Sequence, residues 1–231
     1  MMKNGQAFRT ILGSASLIVT VIGLSLALLY VPPDAVQGNV QRIMYIHVPT
    51  AWVAFFSFFI VFIASLGYLW TRRMNWDLVA SSSAEIGVIF TSLTLITGMI
   101  WGKPTWGTWW TWDARLTTTA ILWLIYVGYL MLRSFIDIEE RRARYAALVG
   151  IVGFLDVPIV YMSVIWWRTL HQPPSMIRPG GPAIAQPMLR VLLINLLAFT
   201  LLYLFFLMQR VYLERLRLEE TSLTMEKELH G

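Results

Sequence analysis

The chain has no cysteine. That excludes disulfides, thiolate metal sites, cysteine nucleophiles and covalent haem attachment through a CxxCH motif. Histidine is nearly as scarce: His47, His171 and His230 are the only three in 231 residues. With thiolates gone, imidazole is the main side chain left to ligate a soft or borderline metal. Charge is thin as well, at 13% of residues against 57% hydrophobic, where a soluble domain runs near 25% and 45–50%. Mean hydropathy is +0.63. The chain is therefore an integral membrane protein. Its formal net charge of +5 is explained by membrane topology and points to no nucleic-acid partner. No internal repeat or low-complexity tract divides residues 1–231, so they are expected to form one polytopic membrane domain.

What is present is a series of apolar runs. Six candidate spans are Thr10–Val31, Val48–Trp70, Val79–Trp101, Leu116–Phe135, Ala146–Trp167 and Met188–Gln209. Each has about 20 residues or more, enough at 1.5 Å per residue to cross a roughly 30 Å hydrocarbon core. The first is too long for a signal-peptide core and lacks a small-residue cleavage site, so it is read as retained. The expected fold is an all-α bundle of six transmembrane helices. Placing the N-terminus in the cytoplasm puts 12 of the 18 Lys and Arg residues inside and leaves Arg42, Lys103, Arg115, Arg168, Arg178 and Arg190 outside. The positive-inside rule then makes both termini cytoplasmic. The tail, residues 210–231, carries ERLRLEE and MEKEL and reads as a charged, solvated extension of the last helix.

With that orientation, His47 and His171 fall on the outer side, and His230 alone lies inside. The stretch 101–115 between spans three and four shares the outer face. It begins WGKPTWGTWWTWD and places five of the eleven tryptophans, Trp101, Trp106, Trp109, Trp110 and Trp112, within twelve positions, closed by Asp113. An interfacial aromatic belt needs one or two indoles per helix end. Five in one loop suggest a flat, apolar, aromatic ligand or partner.

His47 sits in MYIHVPTAW, with Pro49 expected in the first turn of span two. His171 sits in TLHQPPS, where Pro173 and Pro174 stop the preceding helix. Either imidazole alone reads as an interfacial polar residue. Together with the tryptophan loop they suggest bis-imidazole ligation of haem iron, which fills both axial positions and leaves none open for oxygen. Haem carries two propionates, and arginine matches a carboxylate in a bidentate fork. Arg42 and Arg115, nearest in sequence to His47 and Asp113, are the preferred partners among the outer cations, which could equally meet lipid headgroups. Asp113 can cap the fourth span, and that role can coexist with shaping the loop. Two acids lie within spans. Glu85 is expected to reach the interface, and Asp156, mid-span and followed by Pro158, is expected to be a neutral or paired bundle contact.

The segment WGKPTWGTWWTWDARLT resembles the tryptophan-rich WWD signature of the haem-handling superfamily. The chain length, the six spans, IHVPTAW and SVIWWRTLHQ together are similar to its CcmC family, from span two to span six. The resemblance implies a protein of the bacterial cytoplasmic (inner) membrane that takes non-covalent haem b on its periplasmic face. His47 and His171 would be the axial ligands, and Trp101, Trp106, Trp109, Trp110, Trp112 and Asp113 the platform. It further implies delivery of haem to the chaperone CcmE for cytochrome c biogenesis, assisted by CcmD and the ABC-type pair CcmA and CcmB. Whether this makes it an enzyme is a matter of definition, because a lyase-like role here is one of positioning: the chain has no nucleophile or base arrangement of its own. Three other readings compete: a b-type cytochrome, the membrane subunit of an ABC-type haem exporter, and a scaffold whose indoles only dock a partner.

Overall fold

The apolar runs fold as helices because a backbone in hydrocarbon must satisfy its own N–H and C=O groups. In the computed structural model, residues 2–172 and 179–230 are described. Seven α-helices follow in order: α1 (Met2–Ser25), α2 (Met44–Thr71), α3 (Met74–Trp106), α4 (Ala114–Ser134), α5 (Glu139–Phe154), α6 (Asp156–Trp166) and α7 (Gln186–His230). A wide π-helical turn, Leu26–Tyr30, prolongs α1, and a 3-10 turn, Asn39–Ile43, leads into α2. Six segments are long and apolar enough to cross a membrane, with α5 and α6 counting as one. The protein is a six-span helical membrane protein, with no strand among the described residues.

Helix α2 is the hub and packs on α3, α5 and α7; α1 lies along α7, while α4 closes against α3, α5 and α6. The centre is aromatic, with Phe58 of α2 stacked on Tyr126 of α4 at 3.7 Å between centroids. Buried hydrogen bonds fasten the remaining contacts. The Ser83 hydroxyl lies 2.8 Å from the Tyr203 phenol, and Asn195 donates to the Gly23 carbonyl across the α1–α7 contact at 3.0 Å. At the end away from the tryptophan loop, two arginines clamp α3. Arg133 of α4 donates to both oxygens of Asp77 at 2.6 and 2.8 Å, and Arg210 of α7 donates to both oxygens of Glu85 at 2.5 and 2.9 Å. Glu85 thus meets a cation near the end of the bundle.

Four local expectations are corrected. The 3-10 turn feeds straight into α2, so His47 lies within the helix, and Pro49 is its sixth residue rather than part of its first turn. Helix α3 continues to Trp106 with Pro104 inside it, so Trp101 and Trp106 are helical and only 107–113 forms the loop. Span five is interrupted at Leu155 because Pro158 has no N–H to donate to the Phe154 carbonyl. Asp156 therefore opens α6, and its buried Oδ2 has no hydrogen-bond partner among the described residues, so of the neutral or paired contact expected there the paired form is not made.

Candidate functional site

The alternating helices bring the ends of α1, α3 and α6 and the starts of α2, α4 and α7 to one end of the bundle. His47, on the second turn-edge of α2, is half-buried against the last turns of α3. Its Nδ1 lies 3.0 Å from the Thr97 hydroxyl. That hydroxyl has one proton and donates it to the Leu93 carbonyl at 2.7 Å. With its proton on the shorter bond to Leu93, Thr97 accepts from His47 Nδ1–H, and the lone pair lies on Nε2. One turn further along α3, the Trp101 indole meets the same imidazole edge-on, with centroids 5.6 Å apart. The backbone makes room for the ring at Gly98, where an added Cβ would stand 3.1 Å from His47 Cε1.

Trp101 is itself held. Its Nε1–H donates to Gln37 Oε1 at 2.9 Å, and its ring packs on a cluster built from Val31, Tyr45, Val191 and Leu192. Gln37 is presented by a turn in which Asp34 Oδ1 accepts from the Val36 and Gln37 amides. Those two amides hold the Asp34 carboxyl below its usual range. Arg42, just before α2, donates from one terminal nitrogen to the Val31 carbonyl at 3.1 Å, closing the end of the first span. Its buried Nε has no partner among the described residues.

Asp113 performs two tasks at once. Oδ1 accepts the Leu116 amide at 2.9 Å and caps α4, while Oδ2 faces His171 Nδ1 at 3.4 Å and accepts the Leu170 amide at the same distance. A carboxylate is an acceptor only, so His171 also carries its proton on Nδ1 and presents a bare Nε2. The His171 amide is fixed by Thr169 Oγ1 at 3.1 Å, and the Trp106 indole meets the imidazole edge-on at 4.8 Å. Burial holds the His171 pKa below its ordinary value; the Asp113 carboxylate opposes that shift and the Arg115 guanidinium adds to it. The ring is therefore neutral at pH 7, the state that metal ligation requires. Arg115, in the first turn of α4, is within electrostatic reach of both His47 and His171.

The five indoles differ in situation. Trp101 and Trp106 each back one histidine from the end of α3. Past Gly107, whose φ of +78° ends that helix in the left-handed conformation glycine favours, the chain turns outward. Trp109 and Trp112 stand 56% and 81% exposed, far more than a folding core would allow. Trp110 is half-buried and meets Trp112 edge-on at 5.5 Å, with its Nε1 unpartnered among the described residues. A groove of about 390 Å³ runs beside them, lined by Trp112, Asp113, Ala114, Thr117, Thr118, Trp167 and Arg168. Of the six cations expected on this face, Arg178 lies outside the described residues, as do Pro173 and Pro174.

Two histidines with bare Nε2 atoms, each oriented through Nδ1 by a specific acceptor and backed by an indole, form a donor set suited to haem iron. Comparison with known proteins gives the family. The chain matches the family described as Heme exporter protein C, CcmC, over residues 1–226.

The chain belongs to the CcmC family.

It is 44% identical to the Heme exporter protein C of Bradyrhizobium diazoefficiens over 214 residues, covering 93% of this chain and 81% of that one. It is 38% identical to the Heme exporter protein C of Escherichia coli K12 over 179 residues, covering 77% and 73%. It is also 36% identical to a putative cytochrome c biosynthesis ccmC-like mitochondrial protein of Arabidopsis thaliana over 228 residues, covering 99% and 86%.

Within this member of the CcmC family, several residues at the site were not legible as such. Thr97 and Gly98 lie in the middle of an apolar run, and only the contact between α2 and α3 gives them a role. Gln37 and Asp34 sit in a short connection with no periodicity to place them. Trp167 and Arg168 carried the only available signal, since WWR repeats at the end of span five the indole-plus-cation chemistry of the loop.

Proposed function

We infer that the protein handles haem for cytochrome c maturation, holding non-covalent haem b between His47 and His171 at the tryptophan-loop face and passing it to the chaperone CcmE. The observation that carries this reading is the matched state of the two imidazoles. Thr97 and Asp113 each accept a hydrogen bond from Nδ1–H, so both rings offer Nε2. An outer hydrogen-bond partner of this kind fixes the tautomer and raises ligand basicity. Trp101 and Trp106 brace the ligands, while Trp109, Trp110 and Trp112 supply an indole surface for the porphyrin. Arg115, and Arg42 through the donors left over from Val31, are the partners for the propionates. When bound, the iron supplies the affinity for both imidazoles; the chain orients those rings.

The cation distribution supports a topology in which this face lies in the periplasm and the protein in the bacterial inner membrane. CcmE would dock there, because haem must pass directly between the two proteins, with CcmD and the ABC-type subunits CcmA and CcmB assisting. The relatives' printed name, heme exporter, favours a second reading in which the chain is the membrane subunit of an ABC-type haem exporter. Haem loading of CcmE by the purified protein without ATP supports transfer; loading that needs ATP hydrolysis at every turnover supports export.

The deciding experiment is the absorption spectrum of protein purified with CcmE, for wild type and for His47→Ala/His171→Ala. A six-coordinate Soret band in wild type that disappears in the double variant is expected. A wild-type protein that holds no haem while still holding CcmE would reduce the site to a docking surface.

A further inference from the structure

At the opposite end of the bundle, far from both histidines, a cleft of about 610 Å³ opens between the start of α1, the start of α3 and the point where α7 leaves the membrane. One wall is apolar, formed by Phe8, Val79, Leu207 and Val211. The rim is polar and cationic, formed by Gln6, Arg9, Tyr212 and Arg215. The Arg9 guanidinium is laid over the Tyr212 ring, 3.5 Å from its centroid. That contact holds the guanidinium at the rim.

The charge on this rim is not neutralised from within. The nearby acids on the packed helices are already taken: Glu85 by Arg210, and Glu214 by Arg210 and Arg217. Among the described residues, neither Arg9 nor Arg215 is within ion-pair distance of a carboxylate. The cleft also straddles a definite depth. The apolar stretch of α1 starts just past Arg9 and α7 changes from apolar to charged just past Arg210, so the apolar wall abuts hydrocarbon and the cationic rim abuts headgroups. Only an amphiphile with a compact negative head and an extended apolar body satisfies both surfaces.

We propose that this cleft is a specific site for an anionic glycerophospholipid, its phosphodiester held by Arg9 and Arg215 and an acyl chain lying against Val79, Leu207 and Val211. The Gln6 amide and the Tyr212 hydroxyl add neutral donors for the remaining phosphate oxygens. Two guanidiniums near a headgroup favour an anionic over a zwitterionic lipid by about tenfold or more. The lipid ties α1 to α7 where the two helices leave the bilayer.

The test is native mass spectrometry of the full-length, delipidated protein in detergent, titrated with phosphatidylglycerol or phosphatidylcholine. The expected result is a first phosphatidylglycerol bound about tenfold more tightly than the first phosphatidylcholine. That preference should vanish in Arg9→Gln/Arg215→Gln. It should persist in Arg141→Gln/Arg144→Gln, which removes two exposed cations from the same end of the bundle. Val211→Trp keeps both arginines but fills the apolar wall, and it too should lose the tight first lipid. Equal binding of the two lipids to wild type overturns the proposal. So does a preference that survives the Arg9/Arg215 change, or one that falls equally in the Arg141/Arg144 control, which would make it a property of overall surface charge.

Discussion

Replacing Thr97 by valine removes one hydroxyl and almost no volume, which makes it the cleanest probe of the site. In the native protein that hydroxyl accepts His47 Nδ1–H at 3.0 Å while donating to Leu93. Thr97→Val leaves the half-buried imidazole N–H without its acceptor. An unsatisfied buried donor costs about 1–3 kcal/mol. The ring can recover part of that by moving its proton to Nε2 and turning, and either change removes the lone pair from the place where iron would sit. Loss of such an outer partner typically lowers metal affinity about 10–100-fold, which corresponds to about 1.4–2.7 kcal/mol and agrees with the hydrogen-bond figure. The helix itself should barely respond, since the bond from Thr97 to Leu93 is internal to α3 and valine is isosteric. The assay is haem titration followed at the Soret band, with a thermal melt of the apoprotein beside it. Thr97→Ser, which keeps the acceptor, should restore affinity. Unchanged haem affinity in Thr97→Val would refute the tautomer assignment and with it the role given to His47.

Three further outcomes follow from the same geometry. Gly98→Ala should raise the apoprotein's melting temperature, because alanine in a helix interior is favoured by about 1 kcal/mol, yet lower haem affinity, because its Cβ would press on His47 Cε1 from 3.1 Å; a haem titration and a melt moving in the same direction would contradict this. Trp106→Ala should weaken haem retention much more than Trp112→Ala, since Trp106 backs His171 whereas Trp112 is 81% exposed; equal Soret yields would mean the loop acts only as an undivided surface. Asp77→Asn should destabilise the bundle by about 3–5 kcal/mol by leaving the Arg133 guanidinium buried and unpaired, with the haem spectrum of the folded fraction unchanged.

The spans were legible because the bilayer imposes a single rule, about 20 apolar residues per crossing, and the sequence obeys it six times. The gathering of His47, His171 and the tryptophans at one end was equally legible, because alternating helices leave no other arrangement. Helix ends were less so. Pro49 and Pro104 each lie inside a helix where sequence rules expect a boundary; Pro49 is buried among neighbouring helices, whereas Pro104 is exposed in the last turn of α3. Asp156 shows the limit in the other direction: Pro158 announced a local break, but that Oδ2 has no partner among the described residues depends on how α6 packs on its neighbours. The orienting residues were the least legible. Thr97 is an ordinary mid-helix threonine until α2 is packed against it, and nothing in LTLITGMIW separates it from Thr94, whose hydroxyl only returns to its own helix.

The two histidines are mounted with unequal rigidity, and this bears on how a bound haem would leave. His47 belongs to α2, the hub of the bundle, and its Nδ1 contact is 3.0 Å to a residue of α3. His171 comes five residues beyond the end of α6, in irregular chain, with its amide held by Thr169 and its ring facing Asp113 at a longer 3.4 Å. Local opening free energies are lowest where few buried contacts hold the backbone. Release to an acceptor should therefore begin with the His171 bond, while His47 keeps the iron until another ligand replaces the first. His171→Ala should accordingly retain a fraction of five-coordinate haem on His47, and His47→Ala should retain less, with resonance Raman reading the coordination number in each. Transfer to CcmE should fail in both. Equal retention in the two variants, or greater retention in His47→Ala, would reverse the order of release.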